Sequence, residues 1–302
     1  MKNEKQFFHL CSDGKESRDF ITSNKDFVAA MNIIAVCAAN TEASVIAFSL
    51  QDTHYHFLLY GEMTECIRFR DTLEKTYRHY VSASRKDTGN AVPAGELYPI
   101  GDNDYLMNAA IYTIIQPTKD KKPVMPFDYP WGSGSLYFRY RNHIHIWHLD
   151  DEGNTLQEIT FGSLTSTEKR KTLHSHSLSI PEHWLICGGI ILPQNYVDIT
   201  LFESIFKTHN CYRVFLGNSS KKEEEILMRM AQYKGITIED TEARRLGSDT
   251  SKEMFGTSFP RRLTPHQKIK LAQNLHRKHN ISYRQIASIV NLPEDEIRRY
   301  TT

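Results

Sequence analysis

Residues 28 to 40, VAAMNIIAVCAAN, are small and apolar along their whole length and predict a helix. ASVIAFSLQD and YHFLLYG follow it, and their β-branched and aromatic content predicts two neighbouring strands joined as a hairpin, with the turn near Gln51 to Thr53. The second strand is expected to enter the core through Phe57, Leu58 and Leu59. Between Met63 and Arg85, Ile67, Phe69, Leu73, Tyr77, Tyr80 and Val81 recur at roughly helical spacing. Glycines, prolines and polar residues from Ser84 to Gly101 predict a loop. Asp104 then opens a helix, DYLMNAAIYTIIQ, that stops at Pro117, where the proline ring and the missing N–H fix the boundary. FDYPWGSGSLYF reads as an aromatic, turn-rich connector.

Farther along, HIHIWHLD alternates like a strand, HWLICGGIIL is a short apolar run, and VDITLFESIFKTHN has the content of a helix. Residues 221 to 235 are expected to be helical, and RLGSDTSKEMFGTSFP reads as a linker rich in Ser, Thr and Gly. The last forty residues carry the clearest pattern. Thr264 is placed to cap an amphipathic helix whose first residue is Pro265, and Ser282 with Gln285 forms a capping-box pair for a second. NLPEDEIRRY supplies a turn and a final helix. Ala287, Asn291 and Ile297 stand where a helix-turn-helix needs a small residue, a residue tolerant of left-handed backbone, and an apolar contact to the core.

A chain of 302 residues has room for two or three domains. No apolar run approaches the roughly 20 residues that would span a bilayer, so no membrane partner is expected. MKNEKQFFHL lacks a signal-peptide pattern, and five scattered cysteines suggest neither a disulfide framework nor a zinc knuckle, which points to a reducing cytoplasm. A net charge of +1 does not announce a nucleic-acid partner, yet RKDTGN, KDKK, EKRKTLHSH and FPRRLTPHQKIK are local basic clusters.

His-x-His occurs at His54/His56, His143/His145 and His174/His176 in a chain with 14 histidines, so the pairs alone carry little. On a strand, residues i and i+2 share a face, so His54 and His56 present two imidazoles side by side while Tyr55 faces away. Neutral imidazoles suit a divalent metal, although the plain alternative is a polar strand edge. Tyr112 and Gln116, four residues apart, share a helical face one turn apart, with an amide oxygen able to ligate. A tyrosine beside a bound metal can attack a phosphodiester as a nucleophile, although Ile111, Ile114 and Ile115 show that this helix also packs.

The order THYHFLL, a helix, YTIIQP and then DYPWGS resembles the single-tyrosine HUH transposases, closest to the REP-associated tyrosine transposases. The resemblance covers roughly residues 5 to 140. It implies an α/β (α+β) ferredoxin-like HUH endonuclease domain with an antiparallel sheet over residues 1–140, with His54, His56 and Gln116 as metal ligands and Tyr112 as the nucleophile. The amide is glutamine where the REP-associated branch has asparagine, QDT replaces a Pro-Asn type before the His pair, and the Arg-Ala after the proline is absent.

The function this resemblance implies is metal-dependent cleavage and rejoining of single-stranded DNA, at hairpin or repeat sequences, through a 5′-phosphotyrosine, with Mg²⁺ or Mn²⁺ as the ion. HIHIW has no comparable Tyr-x-x-x-amide helix after it and reads as a decoy; His174 and His176 read as a solvated or phosphate-facing loop. Residues 141–250 have no legible function. Residues 258–302 are expected to form a small all-α helix-turn-helix that adds affinity for duplex DNA, through Arg284, Gln285, Arg298 and Arg299, with the helix from Glu294 facing the major groove. The acidic PEDE weakens direct base reading and leaves a protein-contact role open. The protein is expected to act as a monomer or homodimer. The alternative in a different class is a non-catalytic or domesticated DNA-binding regulator, against which the intact set of four residues argues. A replication or mobilisation initiator more often carries its tyrosine before the His pair or carries two.

Overall fold

A computed structural model describes residues 4–12, 20–85, 92–119, 124–138, 146–149, 153–174, 180–218, 240–279, 281 and 283–301. The chain divides into two compact units, Met1–Glu223 and Glu224–Thr302. The expected middle region 141–250 therefore falls partly in each.

The first unit is mixed α+β. Its element order opens β1 (Gln6–Ser12), α1 (Asn24–Ala39), β2 (Ser44–Leu50), β3 (Tyr55–Gly61), α2 (Met63–Ser84), β4 (Gly95–Ile100). The four strands make one antiparallel sheet in the order β2-β3-β1-β4. The hairpin expected at Gln51 to Thr53 is present, and β3 is buried from Tyr55 to Leu59. Helix α1 starts four residues earlier than its apolar run, because the Ser23 side chain accepts from Asp26 N–H and caps it.

Two strands depart from the sequence reading. The expected loop from Ser84 to Gly101 ends in β4, an edge strand, which is where a proline such as Pro99 is tolerated within a sheet. Strand β1 lies in the interior of the sheet, and its run QFFHLCS carries no clean alternation because both faces are covered.

Helices α1 and α2 pack on the sheet face that bears Phe8, Leu10, Phe48 and Phe57, with the Phe57 and Phe69 rings 5.4 Å apart. Tyr55 faces this side. Its hydroxyl donates to Glu74 Oε1 at 3.0 Å, and Gly95 N–H donates to the same oxygen at 2.7 Å. Burial pushes the Glu74 carboxyl above its ordinary range. A Cβ on Gly95 would come within 2.4 Å of the Tyr55 hydroxyl, so this close approach of β4 to the Tyr55 side chain requires glycine.

Helix α3 (Asn103–Ile114) lies on the opposite sheet face and is followed by the short helix α4 (Gln116–Lys119). The aromatic connector covers the outer edge of β2. Leu50 N–H donates to Trp131 O, Ser133 N–H to Phe48 O, and the Tyr129 and Tyr137 hydroxyls to Leu50 O and Ile46 O. Backbone groups that would otherwise be left on an open strand edge are thereby satisfied.

The HWLICGGIIL run is a β-hairpin. β6 (Leu185–Cys187) and β7 (Ile190–Ile191) turn through Gly188 and Gly189, both at positive φ, and pair with β5 (Ile159–Thr160). This small sheet sits on α1, where the buried Asn32 amide donates to Gly189 O and accepts from Ile191 N–H. Helix α5 (Ser166–Leu173) also packs on α1, whereas α6 (Ile199–Phe206) and α7 (His209–Gly217) pack on α3 and on each other.

The second unit contains α8 (Asp240–Phe255), α9 (Pro265–His279), α10 (Tyr283–Val290) and α11 (Glu294–Thr301). Where a linker is expected from RLGSDTSKEMFGTSFP, the structure has most of α8 instead. Its small residues serve close packing: a Cβ on Gly247 would meet Ile289 Cγ2 at 2.6 Å, and Ser248 and Ser251 donate to the carbonyls of Ser258 and Thr257. Leu271, Leu275, Ile286, Val290 and Ile297 form its core. Thr264 and Gln267 exchange capping hydrogen bonds at the start of α9, and Pro265 is its first residue. Asn291 adopts a left-handed backbone with φ 53°, and Ile297 is buried. The expected helix at 221 to 235 and the Ser282 cap lie outside the described residues.

Candidate functional site

The α3-covered face of the sheet concentrates polar side chains where a core would be apolar. In the ladders, Cys11 lies opposite His56 on one side and Glu96 on the other, His9 lies opposite Leu58 and Tyr98, and Ser49 lies opposite His56. Period-two alternation therefore brings Ser49, His54, His56, His9, Cys11, Glu96 and Tyr98 to one face. His9 Nε2 and His56 Nδ1 are 3.2 Å apart. One ligand atom from each of His9, Cys11 and His56 lies within 4.8 Å of the others, and this buried group could hold a metal ion. The ring of half-buried His54 lies 5.1 Å from that of His56, and its Nδ1 is 3.0 Å from Thr53 Oγ1.

Tyr112 is brought to this group from α3. Its ring meets the His56 and His9 rings edge-on, with centroids 5.3 and 5.7 Å apart. Gln116 follows one turn later, beyond the break at Ile115 that closes α3, and its Nε2 donates to Tyr112 O at 2.8 Å. The structure thus brings His54, His56 and Tyr112 together and holds Gln116 beside the tyrosine's backbone. Tyr112 and Gln116 are both buried, at 7% and 3% exposed. Asn108, one turn before Tyr112, shares its helical face, and the buried Asn108 Oδ1 has no hydrogen-bond partner among the described residues. The same holds for Gln51 Oε1, whose amide nitrogen donates to Ser49 Oγ. Two buried amide oxygens without donors thus stand on segments adjacent to the imidazoles.

At the β4 side, the Tyr98 hydroxyl donates to Glu96. Burial, with Cys11 and Glu96 adding to it, keeps that phenol protonated well beyond its ordinary range.

The remaining histidine pairs stand elsewhere. His143 and His145 lie outside the described residues, as does His176. His174 closes α5 in a left-handed conformation and packs its ring 4.7 Å from Tyr80; burial, then Lys25, lowers its pKa. It is a packed cap rather than a solvated loop residue.

In the second unit, Arg284 and Arg299 are exposed, whereas Gln285 is 7% exposed and donates to Asp240 Oδ1 at 2.9 Å, which ties α10 to α8. The side chain of Arg298 lies outside the described residues. The first turn of α11 carries Glu294, Asp295 and Glu296, which suits the positive end of a helix and repels phosphate. A groove on another side is basic: Arg244, Arg261 and Arg262 line it with Ser248 and Ser288, and Arg262 covers the ring of Phe259 at 5.0 Å. Phe259 is 59% exposed. Arg284 lines the adjoining recess, which shares Arg244 and Ser288.

The sequence reading misses His9 and Cys11, because it assigns no strand before α1 and considers cysteines only as closely spaced pairs. None of the five cysteines is in a disulfide, and Cys11 gains its place from a partner strand. The signal for them is FFHLC, in which His9 and Cys11 have the same i, i+2 relation as His54 and His56. No family model, curated protein or solved structure matches the chain.

Proposed function

We propose that the first unit is a ferredoxin-like HUH nuclease that cuts and rejoins single-stranded DNA through Tyr112. The observation that carries this reading is the meeting of Tyr112 with His56 and His9 on one sheet face, next to His54. The β-α-β-β-α-β connectivity with sheet order β2-β3-β1-β4 supports it, since it places the imidazoles centrally and leaves one face for the tyrosine helix.

His54 and His56 would hold a divalent ion, Mg²⁺ or Mn²⁺, with the Gln116 oxygen as third ligand, because the Gln116 nitrogen is spent on Tyr112 O. Such an ion supplies charge neutralisation at a phosphoryl oxygen. The Tyr112 oxygen attacks phosphorus, the bond to the 3′ oxygen breaks, and a 5′-phosphotyrosine and a 3′-hydroxyl result. With His56 committed to the ion, His9, whose ring also meets that of Tyr112, is the imidazole placed to take the phenol proton, and the departing 3′ oxygen takes up a proton from solvent. Asn108 and Gln51 offer amide oxygens that orient a nucleotide's donors. The burial of Tyr112 means that α3 must move off the sheet for DNA to enter. The second unit adds affinity for DNA, and its basic Arg244, Arg261, Arg262 groove contributes phosphate contacts.

That same burial of Tyr112, His56 and Gln116 is what a non-catalytic DNA-binding regulator would show, its polar face retained as structure. The two readings separate in one experiment. Purified protein with Mn²⁺ and a labelled single-stranded hairpin yields a DNA adduct that survives denaturing electrophoresis if the nuclease reading holds. If no adduct forms while the hairpin still binds, the regulator reading stands.

A further inference from the structure

We infer that His9, Cys11 and His56 form a binding site for a thiophilic divalent ion of the zinc class, selective against Mg²⁺ and Mn²⁺. The inference goes beyond the proposed nuclease, whose ligands are His54, His56 and Gln116, and shares only His56 with it.

The sheet makes the site. His9 and Cys11 stand at i and i+2 on β1, and His56 is the ladder partner of Cys11 on β3, so three donors project from adjacent strands without any loop. All three are buried, at 0%, 6% and 5% exposed. Secondary structure on both strands fixes their spacing, which is the preorganisation a metal site needs.

The spacing also fits a tetrahedral centre. With zinc–nitrogen bonds of roughly 2.0–2.1 Å, two nitrogens on one tetrahedral ion stand about 3.3–3.4 Å apart, and a sulfur and a nitrogen about 3.6 Å. His9 Nε2 and His56 Nδ1 are already 3.2 Å apart. The widest separation in the group, no more than 4.8 Å, exceeds the sulfur–nitrogen edge by about 1 Å, which a side-chain rotation closes.

Without an ion, the same 3.2 Å contact is a hydrogen bond in which one imidazole N–H donates to the other ring, and Cys11 is a buried thiol. The thiol separates the two cases. Two imidazoles and a thiolate favour zinc, cobalt and their neighbours over the hard oxygen-seeking Mg²⁺ and Mn²⁺. Three protein ligands leave a fourth position for a solvent oxygen.

Cobalt reports on this directly, because a cysteine thiolate bound to Co²⁺ gives a near-ultraviolet charge-transfer band that nitrogen and oxygen ligands do not. The full-length protein, stripped with chelator and titrated with Co²⁺ in the absence of DNA, is expected to develop that band at one equivalent and to lose it when Zn²⁺ is added. A hundredfold excess of Mg²⁺ is expected to leave it intact. C11S is expected to lose the band and weaken Co²⁺ binding at least tenfold, while Y112F and H54A keep the band. Melting curves of metal-free C11S and C11A show whether each is folded, and the folded variant of the two carries the comparison. A band absent from the parent protein, an undiminished band in the cysteine variant, or displacement by Mg²⁺ overturns the inference. No arm uses cleavage, so failure of the nuclease reading leaves this result standing, and the reverse.

Discussion

The ring of Tyr112 stands nearly perpendicular to that of His56, at 76° with centroids 5.3 Å apart, so a phenol from α3 and an imidazole from β3 share one buried surface. The contact ties the chemistry to packing between helix and sheet, and the two contributions can be separated. Y112F keeps the ring and its edge contact but removes the oxygen. It is expected to abolish the covalent DNA adduct while moving the melting temperature by no more than a few degrees. Adduct formation at parental level in Y112F would remove Tyr112 as the nucleophile.

The two histidines of β3 are expected to differ. His54 is half-buried at the end of the strand, whereas His56 is packed between His9 and Tyr112. H54A and H56A should each lower cleavage at least tenfold, as loss of a metal ligand does. Only H56A should also lower the melting temperature. Binding to duplex DNA, assigned to the second unit, should be unchanged in both, as read by gel shift. Equal cleavage by H54A and the parent would remove His54 from the metal set.

Gly95→Ala pushes a methyl to within 2.4 Å of the Tyr55 hydroxyl and 2.9 Å of Leu10 Cδ1. Tyr55 is buried and held by Glu74, so it cannot swing aside. The expected cost is about 1–3 kcal/mol in chemical denaturation, the range for overpacking.

Asp26 gives the first unit an acid-sensitive tie. Burial pushes its carboxyl up, but hydrogen bonds from Thr22, Tyr80 and Arg85 more than offset this and hold it at about 2. A carboxyl depressed below its unfolded value stabilises the fold fully above that value, near pH 4, and the contribution is lost as pH falls toward 2. D26N should therefore be less stable than the parent at pH 7, with the gap narrowing between pH 4 and pH 2. Melting curves across that range check it; a constant gap would mean that Asp26 is protonated or inert.

The basic groove of the second unit is expected to carry phosphate contacts. Replacing Arg244, Arg261 and Arg262 together by glutamine should weaken binding to all DNA sequences alike. For every arginine that touches a phosphate, its removal should reduce the slope of log affinity against log salt by about 0.9 on duplex. An unchanged slope would assign DNA binding to another surface.

Much of this architecture is legible in the chain. The hairpin of β2 and β3, helices α2 and α3, and the C-terminal helices follow from apolar periodicity, and the positive φ of Asn291 and burial of Ile297 follow from turn chemistry. Errors concentrate where tertiary packing overrides composition. Gly247, Ser248 and Ser251 read as a linker because small polar residues mark loops, yet here they allow close approach of α8 to its neighbours. Gly95 and Pro99 read as a loop, although an edge strand accepts both. At the site, the histidines of β3 and the tyrosine of α3 are visible through local spacing. His9 and Cys11 are not, because their relation to His56 exists only across the ladder.

That ladder has a consequence for how the protein folds. His9 and His56 are 47 residues apart, with all of α1 and β2 between them, so their 3.2 Å approach cannot form through local structure. It appears only when β1 inserts beside β3, a non-local pairing that must first overcome the entropy of closing a long loop and is therefore slow to nucleate. An ion bound by both strands would favour the closed sheet over the open chain, and at a hundred times its dissociation constant it would stabilise the native state by up to about 2.7 kcal/mol. Loaded with its ion, the cluster would act as a latch on the topology of the sheet, and metal supply would become a variable in how much folded protein is retained.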